Sequence, residues 1–207
     1  LTERGTAYSL AEIRELTTIA KSYNMPCHLD GARFTNALVT LGCTPAEMTW
    51  KSGIDVVSFG GTKNGMMGVE AVILFDPDKT WEFELRRKRT AQLVSKGRYL
   101  SAQMLAYLTD DLWLDLATKA NHAAEKLETA ILSLPGGKLD FPRQGNMLFA
   151  AWPRENHRHA KAAGVEYTVH FGQSLDGPGE ELLSARLVTN WATTDQDIAN
   201  FVKAVAG

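Results

Sequence analysis

The chain has 207 residues, of which 44% are hydrophobic and 22% are charged, a balance that excludes an intrinsically disordered or low-complexity protein. Its 22 Lys and Arg residues against 24 Asp and Glu residues leave a net charge of −2, so no basic excess is available for binding nucleic acid. The richest apolar stretch, residues 68–75, is much shorter than the roughly 20 residues of a membrane-spanning helix. We therefore expect a folded, soluble protein.

The cysteines and the first residue bear on the protein's setting. Cys27 and Cys43 form neither a C-x-x-C pair nor a spacing with histidine that is typical of zinc sites. We expect no metal site and a reducing, cytoplasmic location. The chain begins at Leu1, without a charged and then apolar signal region. This start predicts a fragment of a longer protein.

The first part of the chain alternates helical and strand patterns. Ser9 and Glu12 form a capping-box pattern at the start of the first predicted helix, and Gly42 is a stop signal for the second. The predicted elements are helices at 9–24 and 32–41 and strands at 27–29, 55–59 and 69–75. Because these strands are continuously apolar, we expect an α/β fold with a mostly parallel sheet that helices cover on both faces.

The second part of the chain has a different pattern, in which a long helical stretch is followed by short strands and helices. Residues 80–132 have a helical pattern, which predicts one long helix or two abutting helices, and Pro135 with two following glycines breaks it. The later predicted elements are strands at 147–152, 166–170 and 184–188 and helices at 155–163 and 194–205. We therefore predict a boundary near residue 110, between residues 1–110 and a smaller α+β domain at 111–207.

Two charged residues follow neighbouring predicted strands. Asp30 comes directly after the strand at 27–29, and Lys63 lies in a glycine-rich loop after the strand at 55–59. Ligands of parallel α/β sheets bind at the carboxyl ends of the strands. The two side chains and the glycines around them therefore predict a charged pocket.

Three chemistries compete for this pair. A P-loop requires G-x-x-x-x-G-K followed by Ser or Thr, whereas Thr62 precedes Lys63 here. An aspartyl-phosphate site at Asp30 would be expected to have a second carboxylate two residues earlier, where His28 stands. A pyridoxal phosphate site uses both residues, because a lysine forms a Schiff base with the cofactor and an aspartate holds its pyridine nitrogen protonated.

Three segments carry a more specific signal. They are HLDGAR at 28–33, followed by Asn36-Ala37, then DVVSFGGTKNG at 55–65 and RLVTNW at 186–191. Together they resemble the low-specificity threonine aldolases of the β-eliminating lyase family. The resemblance runs from Thr2 to nearly the C-terminus, and its most specific part is the Asp-Gly-Ala-Arg run followed by the Gly-Thr-Lys loop.

The resemblance implies a fold and a reaction. The fold is that of the pyridoxal phosphate-dependent transferases of fold type I, with residues 1–110 as the C-terminal part of the large cofactor-binding domain and 111–207 as the small domain. The reaction is retro-aldol cleavage of L-threonine or L-allo-threonine, a β-hydroxy-α-amino acid, to glycine and acetaldehyde. A homodimer or homotetramer is the implied assembly.

The resemblance also assigns roles to four residues. Lys63 matches the Schiff-base lysine, and Asp30 matches the partner of the pyridine nitrogen. Arg33 and Arg186 match the arginines that hold the substrate carboxylate, and Arg33 belongs to the implied cofactor-binding set as well. A guanidinium suits this task because its planar fork binds a carboxylate through two hydrogen bonds.

Two parts of the family's site are expected outside this chain. The general-base histidines and the glycine-containing phosphate loop lie, in that family, in a segment that would precede Leu1. We therefore expect the 207 residues alone to bind the cofactor weakly and turn over poorly. Two alternatives to the aldolase remain: a β-eliminating lyase on the same scaffold, and an inactive structural fragment.

Overall fold

The computed structural model describes residues 1–170 and 172–207. Its contacts divide the chain into two compact units, Tyr8–Leu116 and a second that joins Leu1–Ala7 to Ala117–Gly207. Residues 1–7, which the predicted boundary near residue 110 places in the first part, therefore group with the second unit. There the Ala7 N–H donates to Gln144 Oε1 at 2.9 Å. That the two parts are a cofactor-binding domain and a small domain stays a prediction.

The unit Tyr8–Leu116 alternates helices with strands. Ser9 caps its first helix through the predicted capping box with Glu12, and Gly42 ends the second in the left-handed conformation, with φ 61°; both predictions are confirmed. The helices are α1 (Leu10–Ser22), α2 (Phe34–Leu41), α3 (Pro45–Met48), α4 (Thr80–Arg89) and α5 (Arg98–Leu108), and the strands are β1 (His28–Gly31), β2 (Val56–Gly60) and β3 (Glu70–Leu74).

The sheet of this unit is mixed. Strand β2 is central, pairing parallel with β1 and antiparallel with β3. The α/β class is confirmed, but the expected parallel pairing is wrong for β3. The loop between β2 and β3 is residues 61–69, and a parallel crossover needs about a dozen residues or more. Val72 and Ile73 of β3 are exposed, so its apolar run did not indicate burial on both faces.

The predicted helical stretch at 80–132 is interrupted twice. It forms α4, α5 and α6 (Leu112–Leu132). The first break is a non-helical segment at 90–97, and the second contains Asp110 and Asp111, whose φ angles are 51° and 56°. Aspartate tolerates this left-handed conformation better than most residues. A helix cannot continue through it, so three helices stand in place of the one long helix or two abutting helices that were predicted.

The second unit is built on an antiparallel sheet in the order β4-β5-β7-β6. The predictions for β5, β7 and both later helices are confirmed, whereas the strand expected at 166–170 is reduced to two residues and β4 was not predicted. The strands are β4 (Lys138–Leu139), β5 (Met147–Pro153), β6 (Thr168–Val169) and β7 (Leu182–Val188), and the later helices are α7 (Arg154–Ala162) and α8 (Asp195–Ala206).

A buried aromatic cluster anchors β7 in this unit. The Trp152 indole stacks on the His157 ring with centroids 4.2 Å apart. Nε2 of His157 lies 3.0 Å from Leu183 O, which can only accept, so Nδ1 accepts the Tyr167 hydroxyl at 2.9 Å. Burial lowers the pKa of His157 and keeps the ring neutral near pH 7. The cluster thus fixes Leu183 and the strand that it belongs to.

Over the part of the chain that the structure describes, no helix combines the length and the apolar character needed to cross a membrane.

Candidate active site

Asp30 lies at the carboxyl end of β1, where the parallel neighbour β2 places Ser58 opposite it. The Asp30 side chain is exposed, and its Oδ1 accepts the main-chain N–H of Ala32 at 2.9 Å. This bond shapes the turn after the strand and does not cap α2, which begins at Phe34. One carboxylate oxygen of Asp30 therefore stabilises the turn, while the side chain remains exposed at the carboxyl end of β1.

His28 shares a strand face with Asp30, because side chains two residues apart on a strand point the same way. Its Nε2 lies 2.8 Å from Ser58 Oγ. The ring is exposed. This contact between His28 and Ser58 links β1 to β2 next to the turn that follows Asp30.

Lys63 lies in a 3₁₀ turn, Thr62–Asn64, directly after β2. Its side chain is exposed, but the residue before it is held in place. The Thr62 N–H donates to Glu70 Oε1 at 3.2 Å, and its hydroxyl donates to Val69 O at 3.4 Å. We call residues 61–69 the lysine loop. The lysine amine thus projects from an anchored turn on the strand beside that of Asp30.

The residue after Lys63 is also anchored. Asn64 is 4% exposed, and its Nδ2 donates to Tyr107 Oη at 2.6 Å and to Trp113 O at 2.9 Å. Tyr107 is fully buried, and its Oη lies 3.2 Å from Thr35 Oγ1 on α2. Burial raises the pKa of Tyr107, so the hydroxyl keeps its proton near neutral pH.

The lysine loop has two further anchors that the sequence did not reveal. Gln103 Oε1 accepts the N–H groups of Met67 and Gly68, both at 3.1 Å. Glu70 bonds Thr62 as described. Water can satisfy exposed backbone N–H groups, so the glycine-rich sequence of the loop gave no signal for these acceptors. The sequence did not indicate which distant side chains supply them.

The close approach of two backbone segments at Gly60 yields a prediction. A Cβ at Gly60 would lie 2.8 Å from Ala32 O and 2.9 Å from Ala32 Cα, so β2 passes directly against the turn after Asp30. We expect Gly60→Ala to lower the free energy of unfolding by about 1–3 kcal/mol. Gly68→Ala is the matched control, since nothing lies within 4 Å of its added Cβ. Urea unfolding of both variants measures the difference; equal stabilities would contradict the close approach.

The arginines lie in different units. Arg33 is half-buried at the N-cap position of α2, in the unit that also holds Asp30 and Lys63. Arg186 lies on β7, an inner strand of the second unit's sheet, between Phe149 of β5 and Thr168 of β6. Its flanking residues on the strand are buried whereas Arg186 is exposed, so its charge points away from the sheet interior.

Other chemistry-bearing groups do not add a metal centre. Cys27 and Cys43 are free and half-buried. Within residues 1–170 and 172–207, no group of three His, Cys, Asp or Glu side chains is placed to hold a metal ion. Within the unit Tyr8–Leu116, the candidate site therefore offers the amine of Lys63, the carboxylate of Asp30 and the guanidinium of Arg33.

Solved structures identify the fold. A threonine aldolase from Leishmania major matches with a TM-score of 0.83 at 24% identity, over 99% of this chain and 58% of that one. A putative aromatic amino acid β-eliminating lyase/threonine aldolase from Exiguobacterium sp. 255-15 matches with a TM-score of 0.70 at 18% identity, over 98% and 58%. The fold is that of pyridoxal phosphate-dependent enzymes of fold type I, as predicted.

Curated relatives extend the match to sequence. The low specificity L-threonine aldolase of Pseudomonas sp. (strain NCIMB 10558) is 37% identical over 207 residues, 99% of this chain and 57% of the relative. That of Pseudomonas aeruginosa is 36% identical over 209 residues, 100% and 58%. The chain thus spans somewhat more than half the length of these relatives. The family model described as beta-eliminating lyase matches residues 2–153, and the chain therefore belongs to the beta-eliminating lyase family.

Proposed function

We propose that the protein containing this chain cleaves L-threonine and L-allo-threonine to glycine and acetaldehyde with pyridoxal phosphate as cofactor. One observation carries the proposal. Asp30 and Lys63 lie at the carboxyl ends of two adjacent parallel strands. The chain around them is 36–37% identical to low specificity L-threonine aldolases.

The described residues fit this cofactor. Lys63 offers an exposed amine on an anchored turn, which suits covalent attachment to an aldehyde. Asp30 is exposed, and a carboxylate that accepts one N–H through Oδ1 retains a second oxygen with which to hold a proton on a pyridine nitrogen. When bound, pyridoxal phosphate supplies an electron sink beside the bond that breaks. Lys63 would hold the cofactor, and Asp30 would set its protonation.

Two arginines supply the proposed substrate grip. Arg33 follows Asp30 by three residues at the start of α2, and Arg186 is exposed on β7. A guanidinium binds a carboxylate through two parallel hydrogen bonds. Holding the carboxylate fixes the rotation of the substrate about its N–Cα bond. That orientation selects the Cα–Cβ bond for cleavage.

Product analysis tests the reaction. With pyridoxal phosphate and L-threonine or L-allo-threonine, we expect glycine and acetaldehyde in equal amounts, measured by amino-acid analysis and by a coupled alcohol dehydrogenase assay. Ammonia and a 2-oxo acid instead would establish the second candidate, a β-eliminating lyase, which the family description favours. Neither product, from a folded protein that does not bind the cofactor, would establish a structural role.

Net charge and cysteine usage bear on the setting of the protein. We infer a cytoplasmic homodimer or homotetramer that acts on a small amino acid and binds neither nucleic acid nor membranes. The net charge of −2 and the two free cysteines support this setting, because secreted domains usually pair their cysteines. Light scattering coupled to size-exclusion chromatography measures the assembly.

A further inference from the structure

We propose that α5 positions Lys63, with Tyr107 and Gln103 holding the lysine loop and Tyr107 joining it to α2. This inference rests on the proposed function, because it assumes that Lys63 is the reactive lysine. Tyr107 and Gln103 are four residues apart on α5, which places them on the same side of the helix. Each contacts the lysine loop at a different point.

The first contact is fixed by chemistry. Trp113 O can only accept a hydrogen bond, so the Asn64 atom 2.9 Å from it must be the amide nitrogen. The same Nδ2 lies 2.6 Å from Tyr107 Oη. Tyr107 therefore accepts the second amide hydrogen of Asn64. Asn64, the residue after Lys63, is therefore bound both to the Tyr107 side chain on α5 and to the main-chain carbonyl of Trp113.

The Tyr107 hydroxyl also reaches the other half of the site. Its Oη lies 3.2 Å from Thr35 Oγ1, and Thr35 is the second residue of α2. That helix begins directly after the segment that contains Asp30 and Arg33. The buried Tyr107 hydroxyl thus connects the turn that carries Lys63 with α2, the helix that follows Asp30.

The Tyr107 and Thr35 hydroxyls lie in apolar surroundings, where separating them is energetically unfavourable. Tyr107 and Thr35 are 0% and 1% exposed. The Phe59 ring lies 5.9 Å from the Tyr107 ring and 5.8 Å from the Trp113 ring, measured between centroids. In such apolar surroundings, a polar group without its partner is strongly disfavoured. The network therefore favours one arrangement of the lysine turn.

The second contact holds the far end of the loop. Gln103 Oε1 accepts from both Met67 and Gly68 at 3.1 Å. Gln103 is anchored in turn, since its Nε2 donates to Tyr99 O at 3.2 Å. Lys63 itself is exposed, while the part of the loop that follows it is bound to α5 at Asn64, Met67 and Gly68. A reactive group on such a preorganised turn loses little freedom when it attaches to a ligand.

Tyr107→Phe tests the inference because it removes only the hydroxyl. We expect Lys63 to be trapped by pyridoxal phosphate and borohydride on the order of fivefold to tenfold more slowly, the factor that one net hydrogen bond contributes. We also expect faster amide hydrogen exchange within residues 61–66, measured by mass spectrometry. Tyr99→Phe, on the same helix with an exposed ring, is the matched control and should change neither.

Thr35→Val provides a second variant of nearly unchanged shape should Tyr107→Phe fold poorly, and the same two changes are expected from it. If the folded variants trap Lys63 at the wild-type rate and exchange the loop amides at the wild-type rate, the positioning role is wrong. If wild-type protein forms no linkage at Lys63, the proposed function fails, and hydrogen exchange of residues 61–66 alone then decides whether the network holds the loop.

Discussion

Lys63→Ala is expected to reduce the proposed threonine cleavage by on the order of 10³-fold or more, because it removes the amine that we propose holds the cofactor. Lys63 is exposed, and the hydrogen bonds that anchor its turn come from Thr62 and Asn64. The substitution should therefore leave the fold unchanged. Steady-state turnover with saturating pyridoxal phosphate measures the loss, and the thermal unfolding midpoint checks the fold.

The matched control is Lys79→Ala. Lys79 is exposed in the 3₁₀ turn Pro77–Lys79 of the same unit, and its loss should leave turnover unchanged. If Lys63→Ala retained more than about a tenth of the wild-type rate while Lys79→Ala did not, the roles of the two lysines would have to be exchanged. A fully active Lys63→Ala variant would remove Lys63 from the site.

Asp30→Asn should lower turnover by roughly 10²–10³-fold, the usual loss when one preorganised electrostatic group is removed from a site. The asparagine side chain has the same shape, and its Oδ1 can still accept the Ala32 N–H. The turn should therefore persist, and cofactor retention should fall little. What is lost is the negative charge that would favour a protonated pyridine nitrogen in the bound cofactor.

This prediction is checked by comparing kcat with the dissociation constant for pyridoxal phosphate, measured by fluorescence titration. Asp78→Asn, an exposed aspartate of the same unit, is the control and should change neither quantity. An Asp30→Asn variant that loses cofactor binding but keeps kcat at saturation would show that Asp30 serves only attachment, contrary to its proposed role.

Local signals in the sequence predicted much of the fold because they act over a few residues. The Ser9–Glu12 capping box and the Gly42 stop are short-range features, and both are present. The antiparallel direction of β3 follows from the short lysine loop, a constraint that apolar character alone does not express. The break in the helical stretch at Asp110 and Asp111 was not predictable from the sequence, because neither Gly nor Pro occurs there.

The site was predictable only in part, for a related reason. Asp30 and Lys63 were proposed because each follows a strand and the ends of neighbouring parallel strands meet, and the structure places both at such ends. Tyr107 and Gln103 lie more than thirty residues from the loop atoms they bind. Nothing in a helical pattern distinguishes a buried tyrosine that packs from one that also accepts a hydrogen bond.

Borohydride reduction of the purified protein that contains this chain, carried out with pyridoxal phosphate and followed by peptide mass mapping, tests the central claim most directly. We predict a yellow protein in which one reduced pyridoxyl group is found on the peptide that contains Lys63. A pyridoxyl group on another lysine, or none on a folded protein, would contradict the assignment of Lys63 and with it the proposed cleavage of threonine.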